Sequence, residues 1–404
     1  MRLKDTGLTA EELKAKSKRY IIETYERYDF IADYGKDQFL YDEEGTPYLD
    51  FYAGIAVNSV GNCNERVVKA AQEQCATVMQ TFNYPYTVPQ VMLAELICNT
   101  IGMDKVFYQN SGSEANEAMI KMARKYGVEK YGPGRYKIIS AKKSFHGRTF
   151  GALSATGQPD TAIQVNLGDI TPGFEYAEFN NAEDFISKAD ENTIAFMIEL
   201  VQGEGGVNPA KPEFVKTLRE YADAHGLLLL IDEVQTGWCR TGATMCYMNY
   251  GIKPDIVSMA KAMGGGLPIG AICATEEVAK AFSAGSHGST FGGHPVSCAA
   301  AYAAITEMLE KDLASKAKAT GEYLMGELKK LPHVEEVRGM GLMIGIEFEE
   351  GYDSVEIKHA CFDRKLLTTA IGKSVIRIVP PLIITKEDCD RAVEIFAEAI
   401  QAVK

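Results

Sequence analysis

Residues 227–266 constrain this chain more than any other stretch. Leu227-Leu228-Leu229-Leu230-Ile231 is a continuous apolar run ending in Asp232-Glu233, the pattern of a strand buried on both faces of a parallel sheet. In open α/β sheets, ligands bind in the crevice beyond the carboxyl ends of such strands. A second strand, Asp255-Ile256-Val257-Ser258-Met259, runs into Ala260-Lys261-Ala262-Met263-Gly264-Gly265-Gly266 and sets a lysine just past its end. The interval between Asp232 and Lys261 is long enough for a crossover back to the same edge. The two side chains are therefore expected to face one cavity in an α/β protein.

An Asp and a Lys at neighbouring strand ends are most often a buried salt bridge, with the glycines serving as a turn. The neighbours argue otherwise. Three glycines let backbone approach a flat ligand closely, and a desolvated lysine has the lowered pKa that Schiff-base chemistry requires. An acid opposite is what a pyridinium nitrogen needs. Lys261 with Asp232 reads as a site for pyridoxal 5'-phosphate (PLP).

At 404 residues the chain exceeds the usual span of one core, and its 46% apolar content is ample for two domains. The formal net charge of −13 argues against a nucleic-acid partner. Nine scattered cysteines without a CxxC point to neither a zinc cluster nor a disulfide framework, so no metal is expected and a reducing compartment is. The N-terminus lacks an apolar h-region and no apolar run is long enough to span a bilayer, so a cytoplasmic protein away from membranes is expected.

Taken in order, residues 5–28 have helical spacing, with Ile21, Ile22 and Tyr25 on one side. Gln38–Tyr41 and Tyr48–Phe51 flank a glycine-ended turn and read as a hairpin. Gly54 and Gly61 loosen the chain at a first boundary. The expected division is 1–60 for an arm and hairpin belonging to a small domain, 61–295 for a large domain, and 296–404 for the rest of the small α+β domain. Asn110-Ser111-Gly112-Ser113-Glu114 follows a short strand and opens a helix with apolar spacing from Ala115 to Ala123. Its free amides and dipole suit a phosphate, although a plain N-cap reads the same way. Ser144-Phe145-His146-Gly147-Arg148-Thr149 offers an aromatic that could stack on a ring and an arginine that could clamp a carboxylate; a core Phe145 and a surface-paired Arg148 are the alternative. Phe196-Met197-Ile198 ends at Glu199 and leads to Gln202-Gly203-Glu204-Gly205-Gly206. Gln235 could donate to a phenolic oxygen. Ser289 and Thr290 lie in a glycine loop before a helix, and Arg377 alternates with apolar strand neighbours. Gly372-Lys373-Ser374 is no P-loop, because Leu367 occupies the place of its first glycine.

These motifs resemble the class III family of PLP-dependent aminotransferases over nearly the whole chain. The most specific are Asp232-Glu233-Val234-Gln235-Thr236-Gly237, Lys261 through Gly270, and Gly288-Ser289-Thr290-Phe291-Gly292-Gly293. Phe145–Thr149, Gln202–Gly206 and Arg338-Gly339-Met340-Gly341-Leu342 look most like its acetylornithine branch. The resemblance implies the type I PLP-transferase fold, with a large, mainly parallel sheet flanked by helices and a smaller α+β domain. It implies that Lys261 is catalytic and carries PLP, that Asp232 binds the ring nitrogen and Gln235 the ring hydroxyl, that Phe145 stacks on the ring, and that Val234 also contacts the cofactor. Gly112 and Ser113 would hold the phosphate, with Thr290 from a neighbouring subunit of a homodimer. Arg148, with Ser289 nearby, would bind the carboxylate of N-acetylornithine and Arg377 that of 2-oxoglutarate, with Glu204 covering Arg377 when an amino donor is present. Ornithine, 4-aminobutyrate, succinylornithine or a lysine derivative are alternative donors, and a PLP lyase or mutase is the alternative chemistry. The chain departs from the family at Gly61-Asn62-Cys63-Asn64, Leu200, Trp238-Cys239 and His294.

Overall fold

The computed structural model describes residues 1–403. Its centre is a seven-stranded sheet in the order Lys105–Gln109, Gly270–Ala274, Ile256–Met259, Leu228–Asp232, Thr193–Glu199, Lys137–Ala141, Phe174–Ala177. Only Gly270–Ala274 runs antiparallel to its neighbours. The others are parallel, so their carboxyl ends line one edge.

Leu228–Asp232 occupies the middle of this sheet and is buried at every residue. Alternate side chains enter separate apolar layers: Leu229 and Ile231 pack with Ile198 and Val257 on one face, Leu228 and Leu230 with Met197 and Ile272 on the other. That split is the reason an unbroken apolar run reads as a central strand. Helix Gly112–Tyr131 covers the second face with Ala115, Ala118, Met119 and Met122, and is capped by Ser111 accepting from the Glu114 amide.

The C-terminal region carries an antiparallel sheet in the order Val334–Met340, Met343–Phe348, Val375–Ile378, Thr369–Ile371. The N-terminal hairpin, Phe39–Tyr41 with Pro47–Asp50, adds Leu366–Leu367 in parallel to Pro47–Asp50. Helix Pro295–Glu310 packs on Glu65–Thr77 and Val88–Ile101.

Two expectations need correction, and one strand was not expected. The helix expected over 5–28 is confined to Ala10–Tyr20, where Ile21 turns extended; Ile21, Ile22 and Tyr25 stay exposed. Gly54 does not loosen the chain. Ala53, Gly54, Ile55 and Ala56 all take positive φ, at 47°, 62°, 65° and 62°, and close a left-handed turn through Val57 N to Ala53 O. Its cost is countered by Asp50 Oδ1, which accepts from the Tyr52 and Ala53 amides at 3.1 and 2.7 Å. Strand Val334–Met340 lies in a charged stretch where periodicity gives no signal; it pairs along Met343–Phe348. Among the described residues, no helix is long and apolar enough to cross a membrane, and no cluster of three or more His, Cys, Asp or Glu side chains could hold a metal ion.

Candidate active site

A cavity of about 450 Å³ opens at the carboxyl edge of the central sheet. Gly112, Ser113, Phe145, Arg148, Asp232, Val234, Gln235 and Lys261 all line it. Asp232 ends the central strand, 4% exposed, with both oxygens engaged. Oδ1 accepts from the Val234 amide at 2.9 Å; Oδ2 accepts from Asn116 Nδ2 at 2.7 Å and lies 2.8 Å from His146 Nδ1. Asp232 and Lys261 do not form a salt bridge, so that bland reading is gone.

Asn116 and His146 escaped the reading of the sequence as site residues. Asn116 was findable: four residues past Gly112 on the same helix, it shares that face. His146 stood inside a motif whose flanking Phe145 and Arg148 drew the attention. Glu199 closes the strand beside Asp232, accepting from the Phe145 and Gly203 amides at 2.9 and 3.1 Å. Burial, with Asp232 adding to it, pushes the Glu199 carboxyl up to about 7.

Lys261 follows strand Ile256–Met259 with φ 46°. Burial, reinforced by Arg377 and opposed by Glu204 and Asp232, brings its ammonium down to about 8. At the far end, helix Gly112–Tyr131 presents its first amides, which have no acceptor inside the helix. Ser113 Oγ is bonded to Thr149 Oγ1 at 2.9 Å and accepts from the Arg148 and Thr149 amides. A Cβ on Gly147, at φ 139°, would come within 2.3 Å of that oxygen, so glycine is required where the two loops meet.

Glu204 and Arg377 join the site through Gln235. Arg377 is 2% exposed; its Nη1 donates to Glu204 Oε1 and, at 3.1 Å, to Gln235 Oε1, while its Nε has no partner. Burial opposes ionisation of Glu204, yet Arg377, then Lys261 and Arg148, hold its carboxyl below the usual range. Arg148 is exposed at the mouth and its guanidinium meets only the Phe145 ring, 5.6 Å from the centroid. Ser289 and Thr290 do not line the cavity. Ser289 Oγ accepts from Asn110 Nδ2 at 3.0 Å, and Thr290 is exposed on the surface loop.

The fit to PLP rests on chemistry the residues already hold. A buried carboxylate with fixed partners, a lysine of lowered pKa, the Phe145 ring and a helix N-terminus stand around one cavity of cofactor size.

The sequence profile of the family Aminotransferase class-III matches residues 21–400. The chain is a class III aminotransferase. It is 43% identical over 391 residues to the acetylornithine aminotransferase of Caldanaerobacter subterraneus subsp. tengcongensis, covering 96% of this chain and 98% of that one. Its fold is similar to that of the ornithine aminotransferase from Toxoplasma gondii ME49, with a TM-score of 0.94, 31% identity, and 99% and 97% of the two chains covered. A second structure of the Toxoplasma enzyme, at TM-score 0.93 and 32% identity over 98% and 95% of the chains, has PLP at partial occupancy in its active site. Class III aminotransferases are PLP-dependent, so this one is a transaminase that takes a small-molecule amino donor and a keto-acid acceptor.

Proposed function

We propose that this class III aminotransferase moves the terminal amino group of N-acetylornithine to 2-oxoglutarate, giving the semialdehyde and glutamate. The observation that carries this reading is the pair of unequal arginines: Arg148 is open at the mouth, whereas Arg377 is closed by Glu204. One carboxylate position is free for a donor, and the other becomes free only when a second carboxylate displaces Glu204.

Bound PLP supplies a carbonyl that takes up the amino group and an electron sink for the carbanion. Lys261 would carry the cofactor and, with its ammonium brought down to about 8, would move the proton between the substrate carbon and the cofactor. Asp232, held by Asn116 and His146, keeps the ring nitrogen protonated. Gln235 Nε2 would donate to the ring hydroxyl, its Oε1 already accepting from Arg377. Phe145 and Val234 pack the ring, and Gly112 and Ser113 bind the phosphate. Arg148 would grip the donor carboxylate and Arg377 that of the acceptor.

The protein works as a homodimer in which Thr290 completes the partner's phosphate site. Support comes from the exposed apolar side chains Met79, Phe82, Tyr84, Tyr86 and Val88, together with Phe291 next to Thr290. Residues 61–295 act as the large domain, and 1–60 with 296–404 as the small one bearing Arg377. The protein is cytoplasmic.

The test adds N-acetylornithine alone to the PLP-loaded protein and follows the visible absorbance of the lysine-bound cofactor. The band is expected to fall and to return with 2-oxoglutarate, with glutamate released. A band that stays unchanged rejects the donor; ornithine, the substrate named for the Toxoplasma neighbour, is the next arm.

A further inference from the structure

Arg338 and Arg377 stand two strands apart in one row of the C-terminal sheet, with Gly345 between them: Arg338 pairs with Gly345, and Gly345 with Arg377. Residues paired in register project from the same face, so the row presents two arginines with bare backbone between. The loop that carries Glu204 lies in that gap. A Cβ on Gly345 would come within 2.9 Å of Val207 Cβ and 3.3 Å of Gly206 O, so the glycine lets the loop touch the sheet. On one side of the gap Glu204 accepts from Arg377. On the other, Arg338 donates to Gly206 O from Nε at 3.0 Å and from Nη2 at 2.8 Å.

The two contacts differ in kind. Arg338 holds a backbone carbonyl, which no side-chain rotation can carry away, and its own Nη1 donates to Glu336 Oε2 at 2.7 Å and to Glu347. Those carboxylates orient the guanidinium, which then places two donors on the one Gly206 oxygen. The backbone around that oxygen is strained. Gly206 has φ 109°, and Val207, a fully buried β-branched residue, has φ 56°. Such a conformation persists only where surrounding contacts over-determine it. Asn208 Nδ2 donates to Gly205 O at 2.8 Å and the Gly203 amide to Glu199 Oε1 at 3.1 Å, so the loop is fastened on both sides of Glu204. A cleft of about 840 Å³, lined by Glu204, Gly206 and Arg338, gives the Glu204 side chain room to turn away from Arg377 while Gly206 stays in place.

We propose that Arg338 is a positioning residue: by pinning Gly206 to the C-terminal sheet it holds Glu204 over Arg377, so that the carboxylate yields by side-chain rotation with the loop left in place. This role rests on the reading of Glu204 as the removable cover of Arg377. Charge and position make opposite forecasts for Arg338. A second cation serving an incoming dicarboxylate would, once removed, leave binding weaker. An anchor of the cover, once removed, leaves binding stronger, because a loosened Glu204 is present at Arg377 at a lower effective concentration and competes less well.

The test titrates glutarate, an unreactive dicarboxylate, by calorimetry into PLP-loaded wild type, Arg338→Met, Arg338→Lys, Glu204→Gln and the Arg338→Met, Glu204→Gln double variant. Arg338→Met is expected to tighten glutarate about threefold and Glu204→Gln about tenfold. Arg338→Lys, which keeps the charge but loses the planar fork, is expected to fall between wild type and Arg338→Met, and it carries the comparison if Arg338→Met does not fold. The double variant is expected to match Glu204→Gln alone, since an anchor without its cover has nothing to hold. Glutarate binding that weakens or stays unchanged on removal of Arg338, even with a lowered Tm, overturns the proposal, as do gains that simply multiply in the double variant. Glutarate bound by none of the proteins overturns it too. Glu204→Gln that leaves glutarate unchanged rejects the cover and the anchor together, whereas tightening by Glu204→Gln without tightening by the Arg338 variants rejects the anchor alone.

Discussion

The two ends of the active site are built on opposite plans. At the Asp232 end, a carboxylate on the central strand is 4% exposed and held by Val234, Asn116 and His146 from three separate segments. At the Arg377 end, an equally buried guanidinium faces Glu204, whose side chain is 34% exposed and sits on the glycine-rich loop 203–206. Asp232 is fixed by partners from three separate segments, whereas the side chain of Glu204 is partly solvated and meets Arg377 from a glycine loop. The difference is what the proposed reaction needs: a fixed seat for a cofactor that stays and a yielding one for two substrates that alternate.

The contrast is broken most severely at the fixed end. Lys261→Ala removes the group that moves the proton, and kcat is expected to fall by at least about 10⁴ in stopped-flow or glutamate-release assays. At the removable end the effect is a redistribution. Glu204→Gln leaves Arg377 uncovered, so the KM for 2-oxoglutarate is expected to fall roughly tenfold while donor kcat/KM drops by a comparable factor; parallel half-reaction titrations measure both. No change in either parameter would show that Glu204 is not a switch.

The smallest effect concerns stability. Glu233 is fully buried and accepts from Thr236 Oγ1 at 2.6 Å and from the Cys246 and Tyr247 amides at 3.0 and 2.8 Å. Burial outweighs these bonds and pushes its carboxyl up to about 7. The folded state thus binds a proton more tightly than the unfolded chain, and stability falls as pH rises from near the unfolded value of 4.5 through about 7. Glu233→Gln removes that slope, so its Tm is expected to decline less than wild type between about pH 5 and about pH 7, by a few degrees in calorimetry. An identical decline in both proteins would reject the burial argument.

Much of the fixed end was legible in the sequence because its signals are local. An apolar run ending in an acid, a lysine before glycines and a helix opening with Gly112-Ser113 each report their own geometry. What stayed hidden came from pairs of distant segments. His146 and Asn116 become partners of Asp232 only after the sheet closes. The parallel pairing of Leu366 with Leu49 joins segments more than 300 residues apart. The left-handed turn was misread because Ala53, Ile55 and Ala56 are residues that avoid positive φ, and propensity has no vocabulary for an exception held by Asp50. Strand Val334–Met340 carries Glu335, Glu336 and Arg338 on a half-exposed face, so alternation could not declare it.

The placement of the lone antiparallel strand also sets a timetable for biosynthesis. Strand Lys105–Gln109, which leads into helix Gly112–Tyr131, has a single neighbour in its sheet, and Gln109 faces Gly270. A ribosome adding about 5–20 residues per second leaves that strand unmatched for roughly ten to thirty seconds. The pocket for PLP is thus completed late in translation, and nascent chains truncated before Gly270 are expected to emerge unable to capture the vitamin.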